Sequence, residues 1–185
     1  MIRIGTSNED LKAASSVARN VELLSVILVK SRFSNSINED EPTQSSLYME
    51  LGKPSGRYVI SAKNNLIVFC NLKVRGLAKE RNKEDKKKLP AILQAEVEFA
   101  MEFRLPEGDI PIEIKDKGLP AFSRLNGPYI CWPYFRQFIY SICSQANITN
   151  VTLPILTVGA KQKKVTKRIG AETSLKKGES ASLKK

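Results

Sequence analysis

A chain of 185 residues with 42% hydrophobic residues has enough apolar material for one packed domain and too little for two comfortable ones. It contains no histidine, which removes the commonest general base, the commonest metal ligand and every Ser-His or Cys-His nucleophile pair. The formal charge of +11 is uneven: residues 161–185 hold nine basic and two acidic residues, so +7 lies in this tail and +4 before it.

Two further classes are set aside by motif. There is no G-x-x-x-x-G-K-S/T phosphate loop, no G-x-G-x-x-G turn and no cysteine cluster at zinc spacing, so neither a cofactor nor a metal is expected. The reading is therefore a non-enzyme. The first residues lack a basic segment followed by an apolar one, and no apolar run approaches the roughly twenty residues of a membrane span, which points to a cytoplasmic protein. Cys70, Cys131 and Cys143 each sit in an apolar stretch without C-x-x-C spacing and read as reduced core residues. Without a secretory signal the two N-x-T triplets at Asn147 and Asn150 are chance.

Along the chain, residues 8–19 predict a short helix, with Ser7 or Asn8 as cap and Glu9 and Asp10 in the first turn. Residues 21–33 predict a strand, apolar on both alternating faces near its start and so expected to be covered on both sides. A polar loop with Glu39, Asp40 and Glu41 leads to a short strand, Leu47 to Leu51, closed by Gly52, Pro54 and Gly56. A third strand region spans residues 57–77, interrupted at Asn64 and Asn65, with Leu66, Val68, Cys70, Leu72 and Val74 on one face. Residues 79–88 form a charge run expected to be a solvated loop.

Residues 92–105 alternate most clearly. Leu93, Ala95, Val97, Phe99, Met101, Phe103 and Leu105 point one way, and Gln94, Glu96, Glu98, Glu102 and Arg104 the other, so a one-residue slip would bury the acids. Four strands with hairpin-compatible loops predict an antiparallel sheet, and its single apolar face requires a helix. Asn126-Gly127-Pro128 reads as a turn, and Pro133 as the first-turn proline of that helix, with Phe135, Phe138, Ile139, Ile142 and Cys143 at spacings of three and four. The fold class is α+β: a four-stranded antiparallel sheet, a long helix over it and a short N-terminal helix. Residues 1–158 form the domain and residues 159–185 a basic tail too poor in large apolar residues to offset its ordering entropy.

Trp132-Pro133-Tyr134-x-Arg136, placed after four strands and before an amphipathic helix, resembles the SecB family of export chaperones. Leu153-Pro154-Ile155 is similar to the proline-containing apolar segment after that family's helix. The extra N-terminal helix and the absence of a second C-terminal helix look more like the SecB-like chaperones that accompany toxin-antitoxin modules. The resemblance covers residues 21–156. It implies ATP-independent holding of unfolded polypeptides, either preproteins or an antitoxin, by a self-associated tetramer. It also implies client grooves beside the sheet, with Leu47, Tyr48, Met49, Leu51, Ile67, Phe69, Trp132 and Tyr134 as candidate linings. Of the aromatic pair, Tyr134 is expected nearer the core and Trp132 nearer the groove. Docking to a translocation motor, which the family performs with an acidic sheet face, has only Glu96, Glu98, Glu102 and Glu22 to use. The competing function is a basic nucleic-acid-binding protein using the lysine-rich tail and loop, and weak phosphate attraction through the tail is expected in either case.

Overall fold

The computed structural model describes residues 2–36, 47–77, 91–108, 111–148 and 151–160. The loop bearing Glu39 to Glu41, the charge run of residues 79–88 and residues 161–185 of the basic tail lie outside these residues. Strands β1 (Ile2–Thr6), β2 (Glu22–Asn35), β3 (Tyr48–Leu51), β4 (Ser55–Ile60), β5 (Asn65–Leu77), β6 (Leu93–Arg104) and β7 (Leu156–Ala160) join helices α1 (Asn8–Ala18) and α2 (Leu119–Gln145), and a π-helical segment, Ile114–Gly118, leads into α2.

The strands form an antiparallel sheet in the order β2-β6-β5-β3, with β4 also paired to β5. β3 pairs with Leu77 to Val74 of β5 and β4 with Asn71 to Leu66, so the two share one edge and the sheet is four strands wide. β5 is continuous through the apolar stretch, and the interruption read near Asn64 is the turn between β4 and β5, where Asn64 takes φ 60. β2 does not pair with its neighbour in sequence. It crosses to β6 instead, with bulges at Leu24 and Val29.

The alternation of β5 and β6 is realised as expected. Leu66, Val68, Cys70, Leu72 and Val74 lie buried on one face with Leu93, Ala95, Val97, Phe99, Met101 and Phe103, and α2 closes over them through Phe122, Leu125, Phe135 and Ile139. Phe103 and Phe122 meet edge to face at 5.2 Å. Two glycines set how near α2 can lie. A Cβ on Gly56 would stand 2.1 Å from the Ser123 carbonyl oxygen, and one on Gly127 would stand 3.2 Å from Val68 Cγ1. Gly127 is thus a packing residue.

That geometry corrects the helix boundary. α2 begins at Leu119 and runs through Asn126, Gly127, Pro128 and Pro133 without a turn. Each interior proline lacks an N–H and forgoes one hydrogen bond, a local loss that burial of the helix face against the sheet outweighs. Pro120, not Pro133, occupies the first turn. The other departure is a parallel two-stranded sheet of β1 and β7, with Ile2 opposite Leu156 and Thr6 opposite Ala160, an addition to the four-strand expectation. β7 extends through Gly159 and Ala160, two residues past the domain boundary drawn at residue 158.

α1 forms as expected, with Ser7 as cap accepting from the Asp10 backbone N–H at 3.0 Å. The Asp10 carboxylate takes a hydrogen bond from Thr6 Oγ1 at 3.0 Å and an ion pair from Arg124 of α2 at 2.7 Å. The Thr6 hydroxyl is the largest influence holding this carboxyl below its usual range. Because the folded value lies below the unfolded one, the stabilisation is complete above the unfolded value and is lost as pH falls through the folded value. In thermal melts the deficit of Asp10→Asn relative to the parent should be largest near neutral pH and shrink below about pH 4. An equal deficit at all pH values would contradict this.

All three cysteines are buried and unbridged. The Cys131 thiol is pushed up by its hydrogen bond to Cys70 and by burial, and burial pushes up Cys143 as well. Cys131 Sγ lies 3.3 Å from Met101 Sδ, so these thiols serve the contact of α2 with the sheet.

Candidate functional site

β2 is the exceptional element. It is an edge strand of fourteen residues whose burial pattern is exposed almost throughout, with Leu23, Leu24, Ile27, Leu28 and Val29 all open to solvent. Ile27 is 56% exposed and Val29 50% exposed. The expectation that this strand is covered on both faces therefore fails within one protomer, because α2 lies over β5 and β6 and does not reach the edge. Among the described residues no strand pairs with the outer edge of β2. Long apolar edge strands in soluble proteins are normally blunted by charge, proline or a covering element. Here β2 carries no charge between Glu22 at its start and Lys30 and Arg32.

The register assigns these side chains to two surfaces. Leu23 and Leu28 pair with Phe103 and Phe99 and so lie on the α2 side, where Phe99 also meets the half-exposed ring of Tyr134 at 6.5 Å. Ile27 pairs with Ala100, which pairs with Phe69, which pairs with Arg57, making one row across the opposite face. Val59 and Ile67 form part of the next row.

The eight candidate linings are divided between these surfaces and are not gathered in one groove. Met49 and Leu51 sit half-buried on the α2 side of β3, while Leu47 is buried beside them and bridges to Val151. Gly76 makes room there, since a Cβ on it would stand 3.2 Å from Leu47 Cδ1 and 3.4 Å from Met49 Sδ. Tyr48 is exposed at the start of β3. Ile67 and Phe69 lie on the opposite face, half-buried, and the Arg57 guanidinium covers the Phe69 ring at 3.9 Å.

The roles assigned to the aromatic pair are reversed. Trp132 is 6% exposed and stacks at a tilt on Phe135 at 5.5 Å, whereas Tyr134 is 48% exposed. With α2 continuous through Pro133, residues 132 and 134 stand on nearly opposite sides of one helix. Leu125, Pro128, Trp132, Phe135, Ile139 and Cys143 then form a single buried stripe at spacings of three and four, the signal that would have placed Trp132 inside. Trp132 Nε1 and Arg136 Nε, one turn apart on α2, are buried without an acceptor among the described residues.

The glutamates of the outer face are each engaged there. Glu98 pairs with Arg57 at 3.2 Å, Glu96 with Lys73 at 2.9 Å, Glu50 with Arg75 at 3.5 Å and Glu22 with Arg104 at 2.8 Å, while Glu102 accepts from Asn65 at 2.7 Å. This face is charge-balanced and not an acidic surface. Among the described residues there is no group of three or more metal-ligating side chains, and no helix is long and apolar enough to cross a membrane.

No protein-family model and no curated protein sequence matches the chain. A solved structure does. A SecB-like chaperone of Mycobacterium tuberculosis, in complex with a ChAD peptide from the HigA1 antitoxin, superposes with a TM-score of 0.61, covering 80% of this chain and 99% of that one at 15% sequence identity. The fold is SecB-like. The likeness includes nearly the whole of the mycobacterial chain. The α+β class, the antiparallel sheet, the long helix and the short N-terminal helix expected from the alternation, capping and helical spacing of the sequence are present.

Proposed function

We propose that this protein is an ATP-independent chaperone that holds unfolded or aggregation-prone polypeptides, and that it works as a homo-oligomer in the cytoplasm without catalysis. The bare apolar strand β2 carries the reading. A strand with bare apolar side chains and, among the described residues, one unpaired edge offers backbone hydrogen bonds and apolar contact to the same strand of a second copy, which supports the oligomer. The half-buried apolar residues beside α2 offer an extended chain broad contact without a fixed sequence. The SecB-like fold supports it, and the antitoxin peptide bound by the mycobacterial relative favours an antitoxin-like client over an exported preprotein.

In this reading the β2 edges of two copies pair, and two such dimers make a tetramer, which leaves the clients the surfaces flanking α2. Met49, Leu51 and Tyr134 are the members of the candidate lining with surface to offer there, Tyr48 alternates onto the opposite face, and Leu47 and Trp132 give support from the core. Ile67 and Phe69 would serve a separate surface. The balanced outer face argues against electrostatic docking to a translocation motor. Residues 161–185 form a basic tail that adds weak, salt-sensitive attraction to nucleic acid.

The test is light scattering while a chemically denatured client is diluted into buffer without nucleotide. Equimolar or excess protein should suppress most of the scattering, and added ATP should change nothing. Undiminished scattering at excess protein would remove the proposal.

A further inference from the structure

The holding activity leaves one feature of the outer sheet face unused. Near the Asn35 end of β2 a cleft of about 290 Å³ opens between Arg32 and Ser34 on β2, Gln94 and Glu96 on β6, and Lys73 and Arg75 on β5. Register explains the assembly: Arg32, Glu96 and Lys73 form one cross-strand row, and Ser34, Gln94 and Arg75 the next.

We propose that this cleft is a docking site for acidic polypeptide segments, held through Arg32, Lys73 and Arg75. Three cations line it against the carboxylate of Glu96, and with Glu50 pairing to Arg75 from beside the cleft one positive charge, that of Arg32, is left over locally on a face otherwise in balance. The Glu96 carboxylate is already occupied, by Lys73 at 2.9 Å and by Asn71 Nδ2 at 3.0 Å, and these bonds keep it ionised below the usual carboxylate range. Arg32 has no ion-pair partner within bonding distance among the described residues, whereas Arg75 is already engaged, by Glu50 at 3.5 Å, so Arg32 is the cation with most to offer. The guanidinium fork suits a carboxylate bidentately, and Ser34 and Gln94 add neutral donors. Since β6 separates β2 from β5, Arg32 and Lys73 stand about 10 Å apart, two strand spacings. In an extended segment, carboxylates two and four residues apart are separated by about 7 and 13 Å, which brackets that span.

A nucleic-acid backbone fits less well. It needs a continuous run of cations and open aromatic faces, whereas Glu98 and Glu102 interrupt the positive charge further along β6 and the nearby Phe69 ring is covered by Arg57. The cleft lies on the opposite sheet face from α2, so the proposal does not use the client surfaces beside that helix, although Arg32 and Ser34 belong to the strand proposed to pair between copies.

The test uses the full chain and fluorescence anisotropy at low salt with three probes: a short labelled Glu-Ser-Gly peptide, its Lys-Ser-Gly counterpart, and a single-stranded oligothymidine of equal charge. The parent should prefer the glutamate peptide, and Arg32→Gln with Lys73→Gln should weaken that binding about tenfold or more without lowering the melting temperature. The basic tail contributes the same background to both proteins. An affinity unchanged by the double substitution would overturn the proposal, locating any peptide binding in the tail. Tighter binding of the oligothymidine, lost in the same variant, would overturn it in favour of nucleic acid. Neither result would alter the light-scattering outcome above.

Discussion

Replacing Trp132 by alanine is expected to destabilise the protein by about 3 to 5 kcal/mol, the usual cost of truncating a buried large aromatic, whereas Tyr134→Ala should cost about 1 kcal/mol or less. Trp132 sits in the stripe that fastens α2 to the sheet, stacked on Phe135, and α2 cannot collapse into the space because the close approach at Gly127 already fixes its height. For a domain of this size each kcal/mol moves the melting temperature by about 2 to 4 °C, so the two variants should separate by roughly 10 °C. Trp132→Phe provides a control. It keeps most of the ring and deletes the indole N–H, which has no acceptor among the described residues, so it should cost far less than the alanine change. Urea denaturation at fixed protein concentration measures all three, since self-association would otherwise contribute to apparent stability. Equal losses for Trp132→Ala and Tyr134→Ala would contradict the burial seen here. In the client assay the pattern should invert, with Tyr134→Ala weakening suppression of scattering while the fold stays intact.

The second large effect concerns β2. Ile27→Lys combined with Val29→Lys should reduce self-association by about a hundredfold or more. Burying each of these side chains is worth about 1.5 to 3 kcal/mol, and a two-fold interface counts each substitution twice. Both positions are half-exposed or more in the protomer, so the chain should fold as before, and two charges on an edge strand oppose strand pairing directly. Light scattering coupled to size exclusion at micromolar concentration should give an oligomeric mass for the parent and 20.7 kDa for the variant. A parent that already runs as a monomer would dismiss the β2 interface. A variant that stays oligomeric would move the interface elsewhere.

Much of the fold and less of the candidate site could be read from the residues alone. β5 and β6 were legible because every second residue across Leu66 to Val74 and Leu93 to Leu105 is apolar, and a half-buried strand admits one assignment of faces to such a pattern. α1 was legible from Ser7 and the acids after it, since a cap is a local interaction between residues three apart. Absence of histidine and of phosphate-binding loops likewise restricts the chemistry from composition alone. What stayed hidden depended on partners distant in sequence. The parallel pairing of β1 with β7 and the crossing of β2 to β6 join segments with no shared local signal.

The site suffered most from this dependence. Two prolines and Asn126-Gly127 carry the local propensities of a turn, and only burial of the Leu125 to Cys143 stripe against β5 and β6 keeps α2 continuous through them. Once α2 is one helix, Trp132 must face the sheet and Tyr134 the solvent, so the inner and outer roles of the W-P-Y motif were decided by tertiary packing and not by the motif. The same holds for β2: its sequence specified an apolar strand, but whether those side chains are core or open surface depends on how far α2 reaches across the sheet, and α2 stops short of the edge because its own apolar stripe is spent on β5 and β6.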